Sequence, residues 1–378
     1  MRFSVKRTEL ARCLSAIEGF TARKSPLTAL TGVRIKADKE AKIISCAATD
    51  LEMGIEFKIP AEEIQENGAG VLPSNILGNI VKKLDSDVVA FNADSNNKVN
   101  ITAGAFQMAL PMQDEADFPE IVPAESKDVL DISCDLFRDM VKKTIHARSN
   151  DPIVRAVLTG ELLEARNGYF NVVALDGYRI AWRWEKVEAE DFSMVVPGKT
   201  LVELVKLIAE EDEEAASIKI GLAKNGTQAV FKTDKFMVVT RTLAGQFIDY
   251  EKLITGVEPH VTVTVDTFGF FSSIERLYVI AKEASENNTV IFNIRSGSIE
   301  AHTEADIGSA YEKIECETKG KELEIAFNAK FLLEAVKTVG VEKTELVFGG
   351  ELQPCLVKPL NAEGQINFIL PVKIRKNQ

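Results

Sequence analysis

Histidine is scarce in this chain, cysteine is scattered, and the familiar catalytic signatures are missing. Three histidines occur in 378 residues: His146, His260 and His302. None has a partner at metal-ligand spacing and no HExxH is present, so no metal site is expected. His146 closes a helical stretch, where the helix dipole favours a cation, and capping accounts for it. The five cysteines, Cys13, Cys46, Cys134, Cys316 and Cys355, are odd in number and form no CxxC pair. That argues against a disulfide framework and against zinc, and leaves reduced, packed thiols. There is no GxSxG elbow, no P-loop GxxxxGK[ST] and no GxGxxG, and Gly349-Gly350 sits in a hairpin context rather than a phosphate cradle. No cofactor is expected. No apolar run approaches the ~18 residues of a membrane helix. The opening MRFSVKRTEL meets charge at Lys6 and Arg7, which leaves no room for a signal-peptide core. The expected location is cytoplasmic, with no membrane partner.

What is present is an ordinary globular balance, 46% hydrophobic and 27% charged, long enough for two or three domains. The net charge of −12 describes only the average, because the field depends on where charge sits. Acidic residues crowd loops: Glu62-Glu63, Asp114-Glu115, Glu188–Asp191 and Glu210–Glu214. Basic residues fall on helical stretches: Arg12, Lys82, Lys83, Arg138, Lys142, Lys143, Lys206, Arg276, Lys330 and Lys337. Any one of these is explained by a solvated helix face. The bias is shared along the whole chain.

One unit is written three times. SNILGNIVKKL (74–84), GKTLVELVKLI (198–208) and NAKFLLEAVKTV (328–339) read as the same short amphipathic helix, each after a strand-like run ending in a turn residue. Their Val-Lys steps, at Val81, Val205 and Val336, lie 124 and 131 residues apart, the size of a small domain rather than a solenoid repeat. A preceding helix repeats as well, in Leu10, Leu14 and Ile17, in Phe137, Val141 and Ile145, and in Phe270, Ile274 and Leu277. Ala48–Leu51 is echoed by Ala174–Gly177, and Phe106–Ile121 by Phe236–Leu253.

Each unit therefore reads as strand, helix, strands, helix, strands, with two helices against about six to eight strands. In the first, Thr8 is the expected cap of a helix reaching about Phe20, and the second helix spans 74–84. Hairpins fit Asp94–Lys98 and Lys224–Gly226. Two short helices cannot cover such a sheet, which favours antiparallel sheet continued edge to edge between units. The expected domains are 1–124, 125–254 and 255–378. Asp50 and Asp176 admit two readings, a paired-carboxylate site or turn-forming aspartates, and their equivalence by duplication favours turns. Tyr178, Trp182 and Trp184 read as sheet-face packing on one strand.

In NDPIVRAVLTGELLE (150–164), ALDGYRIAWRW (174–184), VVPGKTLVELVKLI (195–208), GQFIDYEKLI (245–254) and NFILPVKI (367–374), with ATDLEM (48–53) and FQMALPMQDEADFP (106–119), the whole chain resembles the bacterial sliding clamp, the β subunit of the replicative DNA polymerase. The resemblance implies an α+β fold of three tandem clamp domains, each two helices on antiparallel sheet, forming half of a ring closed by a second copy. Duplex DNA would be encircled without sequence specificity, held by phosphate contacts. It implies DNA contacts at Lys24, Arg155 and Lys199, joined by the helix lysines Lys82, Lys83, Lys142, Lys143, Lys206, Lys330 and Lys337. Ala156 and Val157 follow Arg155 where the family often has aromatics.

It also implies a hydrophobic pocket for short peptide motifs, walled by Leu158, Leu175, Gly177, Tyr178, Arg179 and Ile180. Ile248, Lys252 and Leu253 would form a second side, and Phe368, Ile369, Leu370, Pro371, Val372, Lys373 and Ile374 would complete it. Leu175, Tyr178 and Ile248 replace a usual threonine, histidine and proline, Leu370 and Val372 stand where methionines are frequent, and Arg375–Gln378 extend past the usual end. The implied dimer contact sets Phe106 near Val279 and Ile280 of the partner copy. Implied partners are the replicative polymerase, the clamp loader, repair and translesion polymerases and mismatch-repair proteins. Two other classes remain open: an enzyme using Asp50, Asp176 or Asp249, and a repeat-built adaptor or clamp paralogue without a replicative role.

Overall fold

The computed structural model describes residues 1–94, 96–151, 153–209, 216–284 and 287–374. The acidic run Glu210–Glu214 and the tail Arg375–Gln378 fall outside them. Among the described residues the helices are α1 (Arg7–Glu18), α2 (Ser74–Val81), α3 (Cys134–Thr144), α4 (Gly198–Ala209), α5 (Tyr250–Thr255), α6 (Thr267–Ala284) and α7 (Ala329–Lys337). Six are the pairs anticipated from the repeats, and α5 is additional. The apolar spacing in α1 works as expected, with Leu10, Cys13, Leu14 and Ile17 all buried. Its start differs. The helix begins at Arg7, Lys6 is the flanking residue, and no side chain caps it. Strand Arg2–Lys6 runs directly into the helix, and the Arg7 N–H donates to Asp87 O at 2.8 Å, so a distant carbonyl does the work expected of Thr8. In α7 the Asn328 side chain accepts from Lys330 N, an ordinary cap.

The chain divides into two compact units, Met1–Arg138 with Lys199–Thr242, and Asp139–Gly198 with Leu243–Gln378. Each unit is built on a long antiparallel sheet that passes from one repeat into the next. In the first, an eight-stranded sheet is joined where Phe236–Arg241 pairs with Met53–Pro60, from Thr240↔Met53 to Phe236↔Phe57. In the second, a nine-stranded sheet is joined where Gln365–Ile369 pairs with Arg179–Lys186, from Ile369↔Arg179 to Gln365↔Arg183. The middle repeat is thus shared out between the units. Its strands Ser126–Ser133, Ser217–Ala223, Gln228–Lys232 and Phe236–Arg241 belong to the first sheet, and those between Gly160 and Pro197 to the second.

Each unit has a smaller sheet as well, five-stranded in the first and four-stranded in the second. Helices pack on both sheets of each unit over aromatic cores. In the second unit the rings of Phe270, Phe292, Phe327 and Phe348 succeed one another at 6.3, 6.2 and 6.0 Å. In the first, Phe3 stacks on Phe91 at 4.7 Å, and Phe57 meets Phe236 at 6.3 Å across the strand joint. Such pairs contribute about 0.5–1.5 kcal/mol each beyond their burial. Trp182 and Trp184 share one face of their strand with rings 4.5 Å apart. Tyr178 does not join them: it lies in the turn before that strand and is 65% exposed.

Candidate functional site

Asp176 organises a tight turn between strands Tyr169–Leu175 and Arg179–Lys186. Its Oδ1 accepts from Tyr178 N at 2.9 Å and Arg179 N at 3.1 Å, and its Oδ2 accepts from Arg179 Nε at 2.9 Å. Asp50 does the same between Ile43–Thr49 and Met53–Pro60, accepting from Glu52 N at 3.0 Å and Met53 N at 2.9 Å, with Oδ2 held by Lys199 Nζ. Both oxygens of each aspartate are committed to a turn and a cation, which is structural work rather than that of an acid–base pair.

Beside the Asp176 turn lies an apolar wall. Leu158, Leu175, Ile180 and Phe368 are buried in one cluster with Tyr250 and Ile254, and Ile248 packs against it half-buried. Close in sequence to these residues, Tyr178, Leu253 and Leu370 are exposed, as are Gly177 and Lys252, and Leu370 N donates to Tyr178 O at 2.9 Å. Gly177 takes φ +94°, a left-handed value natural to glycine, and nothing lies within 4 Å of where a Cβ would be.

Ile369, Arg179 and the stretch Pro371–Ile374, all expected in the wall, go elsewhere. Ile369 alternates to the opposite sheet face and is buried in the core around Phe348 and Val357. Arg179 also turns away from the wall. It is 7% exposed, with its guanidinium on Asp176, Glu334 and the His146 carbonyl and lying 4.2 Å from the Phe331 ring centroid. It is an internal fastening of the turn to α7, not a rim charge. Val372 leaves the wall strand, its N–H donating to Ala326 O at 2.8 Å, which pulls Pro371–Ile374 toward the neighbouring strand Leu323–Asn328.

Three titratable groups of this unit are displaced by their surroundings. The His146 ring is pushed down to about 3 by burial and by the Arg179 charge, so it is neutral. The cation expected of it at a helix end is absent, and its carbonyl, in a 3-10 turn after α3, accepts from Arg179 instead. Burial pushes the Glu161 carboxyl up to about 8. Burial and a 2.5 Å hydrogen bond to Glu164 raise the Tyr250 hydroxyl.

The ten basic residues singled out from the sequence fall into two sets. Lys24, Lys83, Lys142, Lys330 and Lys337 are exposed and without an ion pair among the described residues. Arg155 is exposed and donates to Gln246 O at 2.8 Å. The other four carry a carboxylate each: Lys199 with Asp50, Lys206 with Glu203 at 2.8 Å, Lys143 with Asp139 at 3.0 Å and Lys82 with Glu18 at 3.6 Å. In the first unit a cleft of about 900 Å³ sets Arg23, Lys199 and Lys206 against Glu18, Asp50 and Glu203.

Phe106 is 39% exposed on Phe106–Pro111, the last strand of the five-stranded sheet. Val279 is 54% exposed on α6 and Ile280 half-buried beside it. Sequence reasoning missed that the four-stranded sheet also ends on an edge strand, Gly308–Glu315, which bears the exposed Tyr311 and follows the exposed Ile307. Alternating polar residues, Ser309, Tyr311 and Lys313, were the available signal. Among the described residues no cluster of histidine, cysteine or carboxylate side chains is arranged to hold a metal, and no helix is long and apolar enough to cross a membrane.

Fold, Asp turns and apolar wall together define the clamp class of α+β protein. Family models for the DNA polymerase III beta subunit match its N-terminal domain at residues 1–122, its central domain at 131–249 and its C-terminal domain at 257–373, and the chain belongs to that family. It is 27% identical over 385 residues to the beta sliding clamp of Bacillus subtilis (strain 168), covering 99% of this chain and 100% of that protein. To the beta sliding clamp of Staphylococcus aureus it is 28% identical over 390 residues, with 99% of each covered. The crystal structure of the Thermotoga maritima DNA polymerase III beta subunit superposes with a TM-score of 0.91 at 26% identity, over 99% of this chain and 100% of that one.

Proposed function

We propose that the chain works as a DNA sliding clamp: a non-enzymatic protein that encircles duplex DNA and tethers the replicative polymerase to it. The observation that carries this reading is the match of all three repeats, in order and along nearly the whole chain, to one clamp family. On this reading the domains are 1–124, 125–254 and 255–378, and two copies close a ring through the edge strand bearing Phe106 and the helix bearing Val279 and Ile280. Lys24, Lys83, Lys142, Lys330, Lys337 and Arg155 meet phosphates directly. Lys82, Lys143, Lys199 and Lys206 meet them in competition with their own carboxylates. Such contacts carry no base readout, which suits sliding.

The wall of Leu158, Leu175, Ile180 and Phe368, with Tyr178, Ile248, Leu253 and Leu370 at its mouth, takes a short peptide from the polymerase, the clamp loader or a repair protein. An apolar floor with a few charged rim groups is the usual form of such a site. The test is mass in solution by light scattering, followed by retention on a loaded circular DNA and on the same DNA after linearisation. A dimer of twice 41.6 kDa that is lost when an end is cut supports the reading. A monomer, or binding indifferent to DNA ends, overturns it.

A further inference from the structure

The turn, strand joint and covering loop that build the apolar wall of the second unit are built again in the first. Asp50 N donates to Met53 O at 3.2 Å, as Asp176 N does to Arg179 O at 3.3 Å. Each aspartate accepts from the backbone N–H groups two and three residues on. Arg241 N donates to Glu52 O at 3.0 Å, as Leu370 N does to Tyr178 O at 2.9 Å. The strand registers coincide too: Met53↔Thr240 and Gly54↔Val239 stand where Arg179↔Ile369 and Ile180↔Phe368 stand. The loop Phe118-Pro119-Glu120-Ile121 corresponds to Phe247-Ile248-Asp249-Tyr250, with Ile121 packed over Gly54 as Tyr250 is packed in the cluster of Ile180.

Between these parts lies an open groove of about 280 Å³, lined by the apolar Leu51, Met53, Pro119, Ile121, Val122 and Val239 and, in equal number, by polar side chains, Thr49, Gln228 and Thr240 among them. Two observations set it apart from an inert copy. Leu51 holds φ +75° where its counterpart is Gly177, a conformation that a side chain with a Cβ opposes, and it stands 49% exposed at the mouth beside Val122, 62% exposed. The charge is also different. The covering segment carries Asp114, Glu115, Asp117 and Glu120 and no base, whereas its counterpart in the second unit, residues 243–252, carries Asp249 and Glu251 with one base, Lys252. Glu52 stands where Tyr178 stands. Glu52 and Glu120 are exposed and without an ion pair among the described residues, against one exposed cation, Arg241.

We propose that this groove is a second peptide-docking site, for a short extended segment whose bulky apolar side chain is flanked by lysine or arginine. The apolar side chains take the bulky residue, and the Glu52 and Glu120 rim favours basic flanks while opposing the acidic ones that Lys252 would welcome at the first wall. The proposal rests on the peptide-binding reading of that wall only for its analogy, and the experiment separates the two.

The full chain is titrated by fluorescence anisotropy with two labelled hexapeptides. Both have a core of two leucines and a phenylalanine; one is flanked by lysines, the other by aspartates. Variants are Val122→Asp in the new groove and Leu253→Asp at the first wall, both at exposed side chains, with Glu52→Lys as a charge test. The lysine-flanked peptide is expected to bind, to weaken about tenfold or more in Val122→Asp and measurably in Glu52→Lys, and to ignore Leu253→Asp. The aspartate-flanked peptide is expected to respond in the opposite way. Lysine-flanked binding that is absent, blind to Val122→Asp or lost in Leu253→Asp overturns the second site. If the aspartate-flanked peptide ignores Leu253→Asp, the first-wall reading falls alone, and the response to Val122→Asp still decides the groove.

Discussion

Replacing Glu161 by glutamine is expected to stabilise the protein at neutral pH and to change little in acid. Glu161 lies on strand Gly160–Arg166 with no exposed surface, and neither carboxylate oxygen has a hydrogen-bond partner. The adjacent Thr144 hydroxyl has one proton and gives it to Met140 O at 2.9 Å or Val141 O at 3.2 Å, so it cannot also serve the carboxylate. Burial therefore outweighs the attraction of Arg148 and pushes the carboxyl from 4.5 up to about 8. A folded-state value above the unfolded one means stability that is complete below 4.5 and is lost as pH rises through 8. Within that window the loss runs at about 1.4 kcal/mol per pH unit, or about 3 kcal/mol by neutral pH. Glutamine keeps the shape and never ionises. The chain's two tryptophans, Trp182 and Trp184, lie in the same nine-stranded sheet as Glu161, so urea unfolding followed by their fluorescence reports the right unit. Glu161→Gln should raise the midpoint at about pH 7.5 and leave it nearly unchanged at about pH 5. A difference independent of pH, or a lower midpoint at neutral pH, would refute the reasoning.

Arg179→Ala should cost about 3–5 kcal/mol, because it strands the carboxylates of Asp176 and Glu334 in a mostly buried place; Arg179→Lys should recover little, since an ammonium cannot span Asp176, Glu334 and the His146 carbonyl together. Both are read by the same urea unfolding, and an Arg179→Ala cost within error of zero would remove the fastening role. Phe106→Asp or Val279→Asp should convert a dimer at micromolar concentration into a monomer of 41.6 kDa with an unchanged circular dichroism spectrum, and a persistent dimer in both would exclude this interface.

Local periodicity was legible wherever a helix buries one face on its own sheet. The spacing of Leu10, Leu14 and Ile17 and of Phe270, Ile274 and Leu277 gave α1 and α6 because the face and its period lie within a few residues. The Asp50 and Asp176 turns were legible for the same reason, since each aspartate bonds backbone groups two and three residues ahead. Features that depend on distant partners were not. Lys6 can precede a helix without capping it only because Asp87 O arrives from another segment. Arg179 reads as part of the pocket wall until Glu334, 155 residues on, turns it inward. Ile369 reads as wall beside Phe368, but strand alternation sends neighbours to opposite faces, and which face carries the wall is set by the pairing of Gln365–Ile369 with Arg179–Lys186. His146 shows the same limit: its position after a helix suggests a cation, and burial beside Arg179 removes the proton.

The pairing of Lys199 with Asp50 bears on how firmly the clamp grips DNA. Asp50 is well suited to hold a lysine, because its Oδ1 is already fixed by Glu52 N and Met53 N and its side chain is only 11% exposed. A phosphate that takes Lys199 must displace this carboxylate, so the contact releases less free energy than a bare lysine would, and fewer counterions follow. Asp50→Asn keeps Oδ1 for the turn and replaces the anionic Oδ2 by an amide nitrogen, so that Lys199 is freed without loss of the backbone geometry. The expected result is tighter binding to short duplex DNA at low salt, with the slope of log K against log salt steeper by up to about 0.9, one phosphate contact. Lys199→Ala in the Asp50→Asn background should return both affinity and slope to near the parent values. An unchanged slope in Asp50→Asn, or a gain that survives loss of Lys199, would mean that Lys199 does not meet phosphate and that the Asp50 pair belongs to the fold alone.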